Sequence, residues 1–589
     1  MLDISSDEII KNISDINDKY REIVLYLMQG RGNIIPMSLI DSNKINVALT
    51  DTYEQFLANP QKFWKVNFEY MEKLNNLVTG SVAKFVGQPI DPMFSPNNKD
   101  KRFKDSAWQD NVYFDFVKQF YLMSSEWTKK NINQYDLKPE IKQYLDFITN
   151  QFVNALAPSN FIYSNPEVLR ETLDTGWQNI SKGLDNFLQD IKKSEDILKI
   201  KTTDKSAFKL GENIASTKGK VVFQNDLIQL ICYEPKDQAH SIPLLIVPPW
   251  INKYYILDLS SNNSMISFLV NNNFQVFCIS WVNPDKNLSH KNFEDYLKEG
   301  FLEASEYIIK LGFEKINVTG YCIGGTLLAS SLAYLNANNI NYVNSASFIT
   351  TLLDFAMPGE VGIFINESSI ASIEAEMEVK GYFDGQYLSN IFSLLRVNDL
   401  VWSFFVNNYL LGRNPINFDL LYWNSDSTNL PAKMHSYYLR NMYLNNLLKI
   451  PNGLNLLDVP IDLTKIDCKS FFLAANDDHI APWKSVYEGI KLLGNNEKVF
   501  CLTSSGHVAG IVNPPSSSKN TYRVCEDISL NNEEWHAKSD EHKGSWWLYW
   551  KQWLEHNSGD LIKSMDYHNM DFIEYAPGSY VQKTNVSKE

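Results

Sequence analysis

One cysteine lies within a short pattern that is typical of enzymes with a nucleophilic side chain. Cys322 stands between Gly320 and Gly324 in the order Gly-x-Cys-x-Gly, which is the nucleophile elbow Gly-x-Ser-x-Gly with sulfur in place of oxygen. An apolar run at 316–318 precedes it, and good helix formers follow at 327–335. The pattern predicts a strand, a sharp turn and a helix whose N-terminal amides favour a thiolate. Such a pentapeptide also occurs by chance around buried cysteines, so the hypothesis needs partner residues.

Candidate partners lie downstream of the cysteine in the expected chain order. In elbow enzymes the acid and the histidine follow the nucleophile, each on a loop after a strand. The apolar run 470–475 leads to Asp478 and its neighbour Asp477, either of which is a candidate acid. The run 499–502 leads to His507, the candidate base. We expect His507 to take the proton of the cysteine while the acid fixes the tautomer of the imidazole.

Acyl transfer also requires two amides that stabilise the negative oxygen of the tetrahedral intermediate. The residue after the nucleophile, Ile323, supplies one of them. The loop after the first parallel strand, 248–255, should supply the other, and Ile251 is the candidate. His479 is the rival candidate for the base, but it lies beside the acid and we expect it to have a supporting role.

A sulfur nucleophile indicates the class of substrate. A thiolate exchanges readily with a thioester because the attacking and leaving groups are alike. Coenzyme A thioesters are therefore the natural substrates for such a site, although this chemistry leaves simple hydrolysis open.

Composition excludes several other functions. The chain has 589 residues, 44% of them apolar and 21% charged, as expected of a globular protein with more than one domain. Its net charge of −15 argues against nucleic acid as a partner. The six cysteines show no metal-ligand spacing, and we expect neither a metal nor another cofactor. There is neither a signal-peptide pattern nor a transmembrane-length apolar run, so we expect a cytoplasmic protein.

The hydrophobic pattern divides the chain into two domains. Residues 1–200 show mostly helical periodicity and are predicted to form a helical N-terminal domain, with one helix starting at Asn165 and running toward Asp190. Residues 201–589 begin with a predicted hairpin and continue with strands that alternate with helices, which implies an α/β domain with a parallel sheet. The aromatic-rich segment of about 355–460 interrupts this rhythm and is predicted to be a mobile cap. The tryptophan-rich run 546–550 is interpreted as the apolar face of a last helix packed on the core, with a surface for a partner as the alternative.

From about residue 100 to about 570 the chain resembles the polyhydroxyalkanoate synthases, which make bacterial storage polyester. Many stretches match the family in one order, which is far more specific than the elbow alone. These stretches are 248–258 (PPWINKYYILD), 280–285 (SWVNPD), 320–326 (GYCIGGT), 354–355 (DF), 398–402 (NDLVW), 422–431 (YWNSDSTNLP), 478–480 (DHI) and 505–510 (SGHVAG).

The resemblance implies an α/β-hydrolase fold with an inserted cap and carries the catalytic roles of the family onto Cys322, Asp478 and His507. It therefore selects Asp478 over Asp477, and it makes Arg396 a candidate contact for coenzyme A. A single-subunit (class I) enzyme is implied, which polymerises (3R)-hydroxyacyl groups from coenzyme A thioesters. The implied partners are hydroxyacyl-CoA, the growing polyester chain, the granule surface and a second copy in a homodimer. In the alternative interpretation of the run 546–550, the granule surface is also a candidate for its partner.

Two alternatives to polymerisation remain open at this stage. The first is a thioesterase or polyester depolymerase on the same fold, in which water completes the cycle. The second is a non-catalytic protein of the granule surface.

Overall fold

The computed structural model describes residues 5–28, 42–98, 100–193, 200–517 and 519–584. Its contacts divide the chain into two compact units. The first contains Met1–Asp204 together with Asn390–Ile416, and the second contains Lys205–Ser389 together with Asn417–Glu589.

The first unit is helical, as predicted for the N-terminal region. Asn111 caps one helix by accepting hydrogen bonds from Tyr113 N and Phe114 N. The helices are α1 (Ser6–Met28), α2 (Ser42–Ala58), α3 (Pro60–Phe85), α4 (Ala107–Asp110), α5 (Val112–Asn133), α6 (Pro139–Ala155), α7 (Pro166–Asp174) and α8 (Gln178–Lys193).

The prediction of one continuous helix from Asn165 toward Asp190 was wrong. Asn165 does cap α7, but the chain leaves the helix at Thr175 and α8 begins only at Gln178. Between them Gly176 and Trp177 have φ angles of 54° and 70°. Two successive residues in the left-handed region end a right-handed helix, and a periodicity of apolar residues does not reveal them.

Residues 390–416 belong by their contacts to the first unit, although the sequence placed them within the predicted cap. The Asn179 side chain donates to Leu410 O at 2.8 Å. At Gly183 an added Cβ would overlap the backbone of Tyr409, so α8 approaches this segment closely. Long-range contacts of this kind leave no local signature in the sequence.

The second unit is built on a large mixed sheet whose order, in the described part of the chain, is β15-β14-β13-β12-β7-β6-β4-β5-β2-β1-β17. Strands β5, β4, β6, β7, β12 and β13 are parallel neighbours in that order, which confirms the predicted parallel sheet. The antiparallel pair β1 and β2 confirms the predicted hairpin. The strands are β1 (Gly219–Gln224), β2 (Ile228–Tyr233), β3 (Gln238–His240), β4 (Leu244–Val247), β5 (Val276–Trp281), β6 (Ile316–Tyr321), β7 (Val343–Ile349), β8 (Tyr382–Phe383), β9 (Leu430–Pro431), β10 (Leu454–Leu456), β11 (Val459–Ile461), β12 (Lys469–Ala475), β13 (Lys498–Thr503), β14 (Thr521–Val524), β15 (Asp540–Lys543), β16 (Leu561–Lys563) and β17 (Glu574–Tyr575).

Both faces of the sheet are covered by apolar side chains. On β4, Leu245 and Val247 enter one core cluster, whereas Leu244 and Ile246 enter the other. This alternation follows from the two-residue period of a strand, and burial on both faces explains why these strands read as continuous apolar runs.

The remaining helices flank the sheet or belong to the insertion between β7 and β12, two strands that are direct neighbours in the sheet. Within the described ranges, every helix is too short or too polar to span a membrane. These helices are α9 (Met265–Asn271), α10 (Phe293–Asp295), α11 (Glu303–Lys310), α12 (Ile323–Ala337), α13 (Glu367–Lys380), α14 (Gly385–Leu395), α15 (Asp419–Asn424), α16 (Ala432–Tyr438), α17 (Trp483–Ile490), α18 (Asn532–Lys538) and α19 (Trp546–His556).

Helix α19 confirms the interpretation of the tryptophan-rich run. Trp546, Trp547 and Trp550 are buried in the core cluster that also contains strand residues of β7 and β12. The Trp550 indole donates to Ser347 Oγ at 2.9 Å, so its polar atom is satisfied inside the core.

Replacing Trp550 with alanine should lower the free energy of unfolding by about 3–5 kcal/mol, because it leaves a cavity in the core. Urea denaturation followed by circular dichroism measures the change. Leu548→Ala on the same helix is the control, since Leu548 is 47% exposed and should lose no more than about 0.5 kcal/mol. Equal losses in the two variants would contradict this packing.

Candidate active site

Cys322 occupies a strained backbone position at the point where β6 meets α12. Its φ and ψ angles are 53° and −125°, a region that residues with a side chain rarely adopt. The turn is fixed on both sides, because Cys322 N donates to Ile349 O at 2.9 Å and Gly325 N donates to Cys322 O at 2.9 Å. The side chain is half-buried, so the sulfur is held by the fold without being sealed from ligands.

The glycines of the elbow are required by close approach of the backbone. At Gly320 an added Cβ would overlap the backbone of Gly325, at the start of α12. At Gly324 it would overlap Val247 O and lie 2.8 Å from Pro248 O, at the end of β4. The first turn of α12 is therefore pressed against both strands, which explains the two glycines of the motif.

The predicted acid and base form a direct hydrogen bond. His507 Nδ1 lies 2.7 Å from Asp478 Oδ2, and both residues are buried. The other oxygen, Asp478 Oδ1, accepts from Ile480 N at 2.8 Å and Ala481 N at 2.9 Å. A carboxylate accepts only, so His507 donates from Nδ1 and directs Nε2 away from the acid. Asp477 is exposed on the same loop.

The charges at the site act strongly on the imidazole. Burial is the largest single influence and by itself lowers the pKa of His507. The charges of Asp478 and Cys322, together with hydrogen bonds to both side chains, outweigh it and raise the pKa of His507 well above its ordinary value. The structure thus brings Cys322, His507 and Asp478 into one site.

Tyr321 is a supporting residue that the sequence analysis did not identify. Its ring stacks on the imidazole of His507 with 5.7 Å between centroids, and its hydroxyl donates to His507 O at 3.1 Å. The residue before Cys322 therefore positions the histidine. The only signal in the sequence is its place inside the elbow motif, which does not specify this contact.

Two further tyrosines from the insertion lie close enough to Cys322 for its charge to affect their pKa values. Burial raises the pKa of Tyr438 and of Tyr443, and the charge of Cys322 is among the further causes for both. Their rings meet edge to face at 5.4 Å, and Phe355 packs on Tyr443 at 5.0 Å. Both phenols therefore remain protonated donors at neutral pH.

The two candidate oxyanion donors lie on the elements that the elbow brings into contact. Ile323 is the first residue of α12, whose initial amides have no partner within the helix. Ile251 lies on the loop that begins with Pro248, and Pro248 O is next to Gly324. The assignment of these two amides stays a prediction.

His479 and Arg396 are located as follows, and their roles stay predictions. His479 follows the acid, and its carbonyl oxygen accepts from Glu360 N at 2.9 Å, which ties the acid loop to the insertion. Arg396 belongs to the first unit and pairs with Asp399 at 3.1 Å, where both side chains are about half exposed. Among the described residues, no group of three or more His, Cys, Asp or Glu side chains is arranged to hold a metal ion.

Known proteins that are similar to this chain indicate the family to which it belongs. The profile described as "Poly-beta-hydroxybutyrate polymerase (PhaC) N-terminus" matches residues 99–269, and that of the alpha/beta hydrolase fold matches 242–514. The chain is 37% identical to the poly(3-hydroxyalkanoate) polymerase of Methylorubrum extorquens, over 98% of this chain and 97% of the relative. It is 38% identical to the poly(3-hydroxyalkanoate) polymerase subunit PhaC of Cupriavidus necator, over 82% of this chain and 83% of the relative.

The raised pKa of His507 predicts how stability depends on pH. The folded chain binds this proton more tightly than the unfolded chain, whose histidine titrates near 6.5. The contribution to stability is therefore complete below that pH and is lost as the pH rises through the raised value. Asp478→Asn removes the carboxylate, so the advantage of the wild type in free energy of unfolding should shrink as the pH rises above about 6.5.

Urea denaturation at several pH values measures this advantage. Asp477→Asn is the matched control, because Asp477 is exposed and should leave the pH profile of the wild type unchanged. An advantage of the wild type over Asp478→Asn that stayed constant or grew with pH would contradict the assigned charge pair.

Proposed function

The chain belongs to the poly(3-hydroxyalkanoate) polymerase family, whose members are acyltransferases, and we propose that Cys322, His507 and Asp478 carry out its polymerisation through an acyl-cysteine. The observation that carries this proposal is the hydrogen bond between the His507 ring and the Asp478 carboxylate, with Cys322 close enough for its charge to raise the pKa of the imidazole. The substrate is a (3R)-hydroxyacyl-CoA, 3-hydroxybutyryl-CoA in the first instance, and the products are polyester and free coenzyme A.

In the acylation step the sulfur of Cys322 attacks the carbonyl carbon of the thioester. A carbon–sulfur bond forms and the carbonyl oxygen becomes negative, stabilised by the amides of Ile323 and Ile251. When the intermediate collapses, the bond to coenzyme A breaks. His507, which holds the proton of Cys322, returns it to the departing thiolate.

In the elongation step the next acyl group is accepted by the hydroxyl group of a bound acyl unit rather than by water. His507 removes its proton, and Asp478 stabilises the resulting imidazolium. The alkoxide attacks the carbonyl carbon of the next hydroxyacyl-CoA, an ester bond forms, the carbon–sulfur bond to coenzyme A breaks, and the departing thiolate takes the proton that His507 holds. Each cycle lengthens the chain by one unit without another cofactor.

The aromatic side chains of the insertion support polymerisation over hydrolysis. Phe355, Tyr438 and Tyr443 pack edge to face, and the two tyrosines lie near enough to Cys322 for its charge to affect them. Aromatic rings packed near the acyl-cysteine exclude water, which would otherwise release free hydroxyacid.

Purified protein mixed with 3-hydroxybutyryl-CoA separates the candidate functions when free thiol and turbidity are followed together. A polymerase releases thiol while insoluble polyester scatters light. A thioesterase releases the same thiol into a clear solution of hydroxyacid, and a non-catalytic granule protein releases none. Thiol release without polyester would contradict the proposed function.

Cys322→Ala should abolish the release of coenzyme A, because no other group supplies the acyl acceptor. The thiol assay with 3-hydroxybutyryl-CoA measures it. Cys525→Ala is the matched control, since Cys525 is a half-buried free cysteine outside the site and should keep the activity of the wild type. Turnover retained by Cys322→Ala would remove this residue from the mechanism.

We further propose that the enzyme is of class I, dimerises on substrate and works at the granule surface. The exposed apolar side chains of α3, which include Trp64, Phe68 and Phe85, support contact with an apolar polyester.

Sedimentation velocity with and without 3-hydroxybutyryl-CoA tests the dimer. The sedimentation coefficient should rise toward that of two chains when substrate is added, because the acylated enzyme is the form that pairs. An unchanged monomer that nevertheless makes polymer would contradict a required homodimer.

A further inference from the structure

The loop that carries Ile251 is held by one short segment of the insertion, residues 423–428. Trp250 O accepts from Thr428 Oγ1 at 2.5 Å, and Ile251 O accepts from Thr428 N at 3.2 Å. Asn252 forms an antiparallel bridge with Ser427. The hydroxyl and the amide of Thr428 therefore donate hydrogen bonds to the carbonyl oxygens of two successive peptide groups of this loop.

These hydrogen bonds fix the direction of one particular amide. Trp250 O and Ile251 N belong to the same planar trans peptide group, in which the C=O and N–H bonds point in opposite directions. Because the carbonyl oxygen is directed at the Thr428 hydroxyl, Ile251 N–H points away from Thr428. A rotation of this peptide group would break the bond to the hydroxyl and redirect the amide.

The threonine is itself immobilised. Thr428 is buried, and the backbone of Gly385 packs so closely that an added Cβ would lie 2.6 Å from Thr428 C. The next residue, Asn429, is also held in place, because its N–H donates to Asn283 Oδ1 at 2.9 Å and its side chain donates to Pro284 O at 3.1 Å. The insertion is thus anchored to the loops after β4 and β5 at this point.

We propose that Thr428 is a positioning residue for catalysis: its hydroxyl holds the Trp250–Ile251 peptide group so that Ile251 N–H stays directed at the oxyanion formed at Cys322. The inference rests on the proposed function, because it takes the Ile251 amide as an oxyanion donor. The insertion thus positions an oxyanion donor of the sheet domain, in addition to excluding water. Removal of an oxyanion donor typically costs about 10²–10³ in kcat, and a donor that is only misdirected should cost less.

Thr428→Val tests the proposal, because valine keeps the shape of threonine and removes only the hydroxyl. With 3-hydroxybutyryl-CoA we expect kcat for coenzyme A release to fall by about tenfold or more, with KM changed far less. Thr428→Ser restores a hydroxyl and should recover most of kcat. Thr428→Ala takes the place of the valine variant if that variant does not fold, as judged by its thermal denaturation midpoint.

Two controls distinguish a loss of kcat caused by a misdirected amide from one caused by general damage to the site. Alkylation of Cys322 by iodoacetamide passes through no oxyanion, so its rate in Thr428→Val should equal that of the wild type. Trp423→Phe also removes a hydrogen bond to the loop, since the indole donates to Lys253 O at 2.7 Å. That carbonyl shares its peptide group with Tyr254 N rather than Ile251 N, so kcat should stay near that of the wild type.

The outcomes distinguish this inference from the proposed function. A kcat of Thr428→Val equal to that of the wild type, or alkylation that slows in parallel with kcat, would overturn the positioning role while leaving Cys322 as the nucleophile. Full coenzyme A release by Cys322→Ala would instead overturn the proposed function itself. A lowered kcat with unchanged alkylation, rescued by serine, supports the inference.

Discussion

The structure depends most on the hydrogen bond between the buried carboxylate of Asp478 and the imidazole of His507. A charge in a protein interior is costly unless it is paired and fully hydrogen-bonded. Here one oxygen accepts from two backbone amides of its own loop and the other from the ring, so both oxygens of the buried carboxylate have hydrogen-bond partners. The same charge holds the proton on His507 against the effect of burial.

The sheet makes this arrangement possible. Strands β6, β12 and β13 are parallel, and their carboxyl ends meet at one edge of the sheet. Cys322 follows β6, Asp478 follows β12 and His507 follows β13, so three residues far apart in sequence emerge side by side. Ligand sites at the carboxyl ends of parallel strands are a general property of such sheets.

Much of this could be predicted from the sequence because the signals are local. Apolar runs separated by helical periodicity predicted the parallel strands, and glycines on either side of Cys322 predicted the turn. The carboxylate neighbour could not be chosen by pattern alone, since Asp477 and Asp478 both follow β12. The resemblance to the family selected Asp478, and the fold shows that Asp477 is exposed while Asp478 meets His507.

The remaining features depend on contacts across long stretches of chain. The ring of Tyr321 on His507, the tyrosines of the insertion near Cys322, and the bond from Thr428 to Trp250 join segments that have no periodic relation. The grouping of residues 390–416 with the N-terminal helices is of the same kind. Such contacts are set by packing, and a single sequence does not encode them in any local pattern.

Rapid-quench peptide mapping of the acyl enzyme tests the central claim most directly. Protein mixed with 3-hydroxybutyryl-CoA for less than one turnover and quenched in acid should carry the hydroxyacyl mass on the peptide that contains Cys322. Coenzyme A released within that turnover, with the acyl group on another residue or on none, would contradict the account.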